Sequence, residues 1–174
     1  MTVSGAATPT EITSPVLVLV EGPDEHRFYC RLAASDHLEG LQFHPMGGTA
    51  NLRATLRAFA NSPGREKLRA VGVIRDSDLN ADAAFAAAAD AMAAAGWPRP
   101  KAPRDISAGH PRTGVFIVPG DLDRLCQKAA RAEEPERSQC VDHYFKCVET
   151  VTGEPADCPK GWTHAYLAGY GRGD

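Results

Sequence analysis

Val16-Leu17-Val18-Leu19-Val20, broken off at once by Glu21-Gly22-Pro23-Asp24-Glu25, decides the fold. A short run of β-branched and aliphatic residues without polar alternation is the pattern of a parallel strand buried on both faces. Pro23 suits the first turn of a helix, and Phe28, Tyr29 and Leu32 fall at helical spacing between Asp24 and Leu32. The same grammar recurs downstream. Ala70-Val71-Gly72-Val73-Ile74 stops at Arg75-Asp76-Ser77-Asp78, and Val115-Phe116-Ile117-Val118 closes at Pro119-Gly120. Leu41-Gln42-Phe43-His44 reads as a further short strand. Gly47-Gly48-Thr49 then reads as a turn, with Thr49 the N-cap of a helix through Ala60 whose inward stripe is Leu52, Leu56 and Phe59.

The alanine-rich stretch from Ala81 to Ala95 has high helix propensity and ends at Gly96 and Pro98, after which Pro98 to Pro111 is a proline-rich loop. Helical patterning follows from Leu122 to Ala132 and from Cys140 to Val151. Strands alternating with helices predict an α/β fold, a parallel sheet of about four strands with helices on both faces.

A chain of 174 residues suits one domain with a real core. Residues 1–15, rich in Ala, Thr and Ser, read as a flexible leader, and 16–174 as a single domain. With 43% hydrophobic and 24% charged residues, a folded globular state is expected. The longest apolar run, Val16 to Val20, is far short of the roughly 20 residues of a membrane span, and Met1 to Pro15 lacks the pattern of an export signal. Five cysteines, an odd number in a chain of this size, point to reduced thiols in the cytoplasm. A net charge of −3 argues against coating nucleic acid by bulk electrostatics, so any such contact is local. There is no glycine-rich Walker loop and no nucleophile elbow, so no nucleotide cofactor is expected.

In open parallel sheets ligands bind beyond the carboxyl ends of the strands. Glu21 and Asp76 both stand there, and Asp78, two residues on in an extended segment, points the same way as Asp76. Carboxylates brought together repel, and a hard divalent cation with oxygen ligands relieves that repulsion. Mg²⁺ or Mn²⁺ held in this way activates water and neutralises charge on a phosphodiester.

Glu21-Gly22 after the first strand and Asp76-Ser77-Asp78 after a later one resemble the two motifs of the Toprim superfamily. Val20 to Glu25, the Gly47-Gly48 turn and Val115 to Asp121 resemble small stand-alone Toprim-like proteins related to the Toprim domain of overcoming-lysogenization-defect nucleases. The resemblance implies a Toprim-like (Rossmann-like) sheet, a metal or acid–base role for Glu21, and Mg²⁺ ligation by Asp76 and Asp78. It also implies work beside an ATPase of the ABC or AAA type, in some cases in defence against phage. Relatives carry a glycine-containing stretch and a glutamate after the third strand; here Pro119 to Asp123 is compressed, and Asp121 and Asp123 are the nearest substitutes. The C-terminus after Ala168 also reads as shorter than in relatives. The expected function is a Mg²⁺- or Mn²⁺-dependent phosphodiester hydrolase acting on nucleic acid, with Glu21, Asp76 and Asp78 catalytic. The alternative is a non-catalytic module that regulates an associated ATPase. A homodimer is compatible with both.

Gly47, Gly48 and Thr49 suit either a phosphate approached by backbone or an ordinary turn. Arg53 and Arg57, four apart and followed by Arg65, Lys67 and Arg69, read as a phosphate-tracking strip or as a solvated helix face. Arg99, Lys101, Arg104 and Arg112 form a second basic cluster on the proline-rich loop. Asp24, Glu25 and Asp82 are early-helix acids favoured by the helix dipole. Cys140, His143, Cys147, Cys158 and His164 lack the paired knuckles of zinc modules and read as core and surface residues.

Overall fold

Each aliphatic run forms a strand. In the computed structural model, which describes residues 11–77, 80–156 and 158–169, strands β1 (Val16–Val20), β2 (Leu41–Pro45), β3 (Ala70–Asp76) and β4 (Arg112–Val118) form one parallel sheet in the order β2-β1-β3-β4. Helices α1 (Pro23–Ser35), α2 (Leu52–Ala60) and α3 (Ala81–Ala94) connect them, and α4 (Leu122–Glu133), α5 (Pro135–Thr152) and α6 (Pro159–Ala168) follow. The chain falls into two compact units, one ending at Val118 and the other beginning at Pro119.

In the first unit the sheet is covered on both faces, but unequally. Leu17 and Leu19 share a face with Val71, Val73, Val115 and Ile117, since paired residues of parallel strands point the same way. All are buried against Leu52, Leu56 and Phe59 of α2 and Phe85, Ala88, Ala89 and Met92 of α3. The other face carries α1, whose Tyr29 stacks on Phe43 of β2 at 6.1 Å. Phe116 on that face stays 41% exposed. The expectation of strands buried on both faces therefore holds on the α2 and α3 side and is met only in part on the other, where Val20 and Val118 are buried, Val16, Val18 and Ile74 are half-buried and Phe116 is exposed.

Three further features depart from the sequence reading. Ile12, within the expected flexible leader, is fully buried in the core, and its N–H donates to the Pro63 carbonyl at 3.2 Å. Trp97 is also buried there and donates its Nε1–H to the Leu56 carbonyl at 3.1 Å. The proline-rich loop is partly ordered as an edge on β4: Arg104 and Ser107 N–H groups donate to the carbonyls of Val115 and Thr113.

His44 lies on the core face, edge-on to Phe59 at 4.8 Å. Burial, followed by the charge of His26, holds its imidazole below the usual pKa. The folded chain thus binds this proton less readily than the unfolded chain. Its contribution to stability is complete above the unfolded value of about 6.5 and is lost as pH falls through the lowered folded value. The thermal midpoint is expected to drop on acidification below about pH 6.5, with a shallower drop in His44→Leu; equal slopes would contradict this.

In the second unit, Val141, Trp162 and Tyr166 form a small core with Ala130, Phe145 and Ala165 packed on it. Helix α5 begins earlier than its pattern suggested, at Pro135, and ends at Gly153 in the left-handed conformation. No described helix is long and apolar enough to cross a membrane.

Candidate functional site

The carboxyl ends of β1 and β3 are neighbours, so the residues that leave them meet. Glu21 follows the last residue of β1, and Asp76 is the last residue of β3 rather than the first beyond it, paired with Val118 of β4. The Asp76 backbone N–H donates to Glu21 Oε1 at 3.1 Å across 55 residues of sequence. On the same oxygen, Arg75 Nε stands at 3.8 Å as an ion pair. The Glu21 side chain is 23% exposed and that of Arg75 11%. Ser77, buried, ties this corner to β4 by donating its N–H to the Val118 carbonyl at 2.9 Å. Asn80 then caps α3, its side chain accepting from the Ala83 N–H at 3.0 Å.

The Gly47-Gly48 turn docks on the same rim. The Gly48 N–H donates to the Glu21 carbonyl at 2.9 Å, and with φ of 105° Gly48 occupies backbone space that a side chain disfavours. That N–H therefore holds the turn to β1 and is not offered to a phosphate. Thr49 is not a helix cap as expected. It opens a single 3₁₀ turn, Thr49–Asn51, that runs into α2, and no side chain caps either segment.

Arg53 and Arg57 are exposed on α2, which leads away from the rim. Arg65, Lys67 and Arg69 lie in the connection that enters β3 at its opposite end, with the Arg65 guanidinium 5.1 Å over the Trp97 ring. The basic residues thus run from the carboxyl end of the strands to their amino end. In the second cluster Arg99 pairs with Asp90 at 3.0 Å and Arg104 lies 5.4 Å over Phe116. Asp24 pairs with Arg27 at 3.2 Å on α1.

In the second unit Asp121 is the N-cap of α4. Its Oδ1 accepts from the Arg124 N–H at 2.6 Å, and its Oδ2 pairs with Arg124 Nε at 3.3 Å. Asp123 is in the first turn of that helix, where its charge adds to the burial that pushes the Cys126 thiol up. Asp78 lies outside the described residues. Among the described residues no three His, Cys, Asp or Glu side chains gather as a metal group, Cys140, His143, Cys147, Cys158 and His164 included.

The second unit also holds a pocket of about 280 Å³ lined by Arg131, Asp142, Phe145, Lys146, Cys158 and Trp162 among others. Burial would push the Asp142 carboxyl up, but hydrogen bonds from Arg131 at 2.8 Å and Trp162 at 2.7 Å, with the charges of Arg131 and His143, hold it below the usual range. Lys146 pairs with Glu149 at 2.8 Å. These charges are matched within the wall, which makes the pocket a packing feature of the three helices.

Glu21 and Asp76 stand at the strand ends where the sequence places them, whereas Arg75, which reads in the sequence as a charge that ends the strand, is its penultimate residue. The available signal was the alternation Val71, Val73, Arg75, which places Arg75 on the core face beside the end of β1.

A family model described as a protein of unknown function (DUF3226) matches residues 15–172. No curated protein and no solved structure matches the chain.

Proposed function

We propose that this chain, which belongs to the DUF3226 family, is a Toprim-like protein that holds Mg²⁺ or Mn²⁺ at the carboxyl rim of its sheet with Glu21, Asp76 and Asp78 and hydrolyses phosphodiesters of nucleic acid. The observation that carries the reading is the backbone N–H of Asp76 on Glu21 Oε1 at 3.1 Å, by which the carboxylate of the first motif meets the main chain of the second. Oxygen donors rooted in adjacent strand ends suit a hard divalent ion. When bound, such an ion supplies a water of lowered pKa and neutralises charge on the phosphoryl oxygens. The chain's own part is to fix Glu21 through the Asp76 N–H, to hold the rim through the Ser77 and Gly48 backbone bonds, and to offer Arg53 and Arg57 to the phosphates that flank the reacting one.

The test is incubation of the purified chain with single- and double-stranded DNA and with RNA, in Mg²⁺ and in Mn²⁺. Cleavage abolished by chelation is expected. Nucleic acid left intact with both metals, alone and with an ATPase partner, would remove the hydrolase reading.

One observation favours a second reading. Asp121, the nearest substitute for the glutamate that relatives carry, has both oxygens engaged in capping α4 and pairing with Arg124. A non-catalytic module that binds an ATPase of the ABC or AAA type would need no further acid, and it would show partner binding without turnover.

A further inference from the structure

We propose that Arg75 is the built-in counter-cation of Glu21 and thereby sets the affinity of the rim for a divalent ion; this rests on the metal-site reading above and concerns the regulation of that site. Arg75 stands in β3 opposite Ile117, on the side of the sheet that carries Val71 and Val73 and packs against α2 and α3. Its side chain is 11% exposed, and its Nε is 3.8 Å from the Glu21 oxygen that also accepts the Asp76 N–H. One carboxylate oxygen therefore already faces a full positive charge and a backbone dipole.

A guanidinium buried to this degree is shielded from a polymeric phosphodiester, so Arg75 acts through Glu21 and is a positioning residue. Two cations cannot both take full benefit from one carboxylate. A divalent ion brought to Glu21 meets a like charge a few ångströms away, in surroundings where charges are screened less than in water. The pair neutralises Glu21 and holds it in place without metal, and it lowers the affinity with which metal loads. This differs from a bland packing role, in which loss of Arg75 would free Glu21 to wander and weaken metal binding.

The opposite signs of these effects provide the test. Mn²⁺ is titrated calorimetrically into the full chain and into Arg75→Met, Arg75→Gln and Arg75→Lys, with thermal unfolding run in parallel. The two neutral variants are expected to bind Mn²⁺ on the order of tenfold more tightly than the unsubstituted chain, and the lysine variant within about twofold of it. Whichever of Met and Gln folds decides the matter. Unchanged or weaker binding in that variant, or equal tightening with lysine, would overturn the proposal. Binding by the unsubstituted chain that Asp76→Asn removes and neutral position 75 leaves unchanged would sink this inference and leave the metal site standing. Absence of Mn²⁺ binding in every variant would remove both, whereas binding that emerges only in a neutral variant would support Arg75 as the block.

Discussion

Asp76→Asn is expected to lower Mn²⁺ binding at the rim at least a hundredfold, beyond the roughly 10–100-fold typical of losing an outer-shell partner, and to take metal-dependent hydrolysis down with it. The fold should survive, because Asp76 is tied into the sheet by backbone, through its N–H on Glu21 and its pairing with Val118. Asparagine keeps both. Glu21→Gln should behave differently. The amide oxygen still accepts the Asp76 N–H, but the charge opposite Arg75 is gone, so metal binding and thermal stability fall together. Calorimetric Mn²⁺ titration beside thermal unfolding distinguishes the two. Full metal affinity in Asp76→Asn would mean that the cation, if bound, is held elsewhere.

The largest expected loss of stability comes from a glycine far from the acids. Gly64 has φ of 86°, and a Cβ placed there would stand 2.4 Å from the Ile12 carbonyl oxygen. Gly64→Ala thus incurs about 1–2 kcal/mol for left-handed backbone. It also forces the 11–13 segment outward, and removing Ile12 from the core adds about 1.5–3 kcal/mol. Together they predict a loss of about 2.5–5 kcal/mol, enough to lower the thermal midpoint by about 5–20 °C in a chain of this size. Gly153→Ala is the control: its φ is 71°, nothing lies within 4 Å of the added carbon, and only the backbone part is expected. Equal midpoints for the two variants would contradict the packing of Ile12 on Gly64.

That packing shows where the sequence stops being legible. Ile12 stands alone among Thr, Ser and Pro, without period or neighbours of its kind, so nothing local marks it as core; the 62–64 turn that receives it is more than 45 residues away. Trp97 is similar, lying just past the end of α3 where a helical stripe no longer applies. Strands β1, β3 and β4 were legible because a buried parallel strand reads as an aliphatic run, and all three runs became strands, whereas β2 is a half-buried mixture of Leu41, Gln42, Phe43, His44 and Pro45. Helix α6 was not, since Gly161, Thr163 and His164 interrupt its apolar pattern and its stability comes from Trp162 and Tyr166 packing in the second core.

At the site, residue types and strand-end positions were readable, and their partners were not. Glu21 and Asp76 were placed at the rim by the rule that strand ends carry ligands, but the Arg75 ion pair follows from the pleat and from strand order, which a single sequence leaves open. The capping role of Asp121 had a visible signal, an aspartate directly before an apolar helical stripe. It was outweighed by the attraction of another acid near the proposed metal.

A structure determined from crystals soaked in Mn²⁺ tests the central claim most directly. An anomalous peak is expected at the carboxyl rim with Glu21, Asp76 and Asp78 oxygens at ligand distance, about 2.0–2.6 Å for hard divalent ions. A rim without a peak, with the three carboxylates turned beyond reach of a common ion, would contradict it.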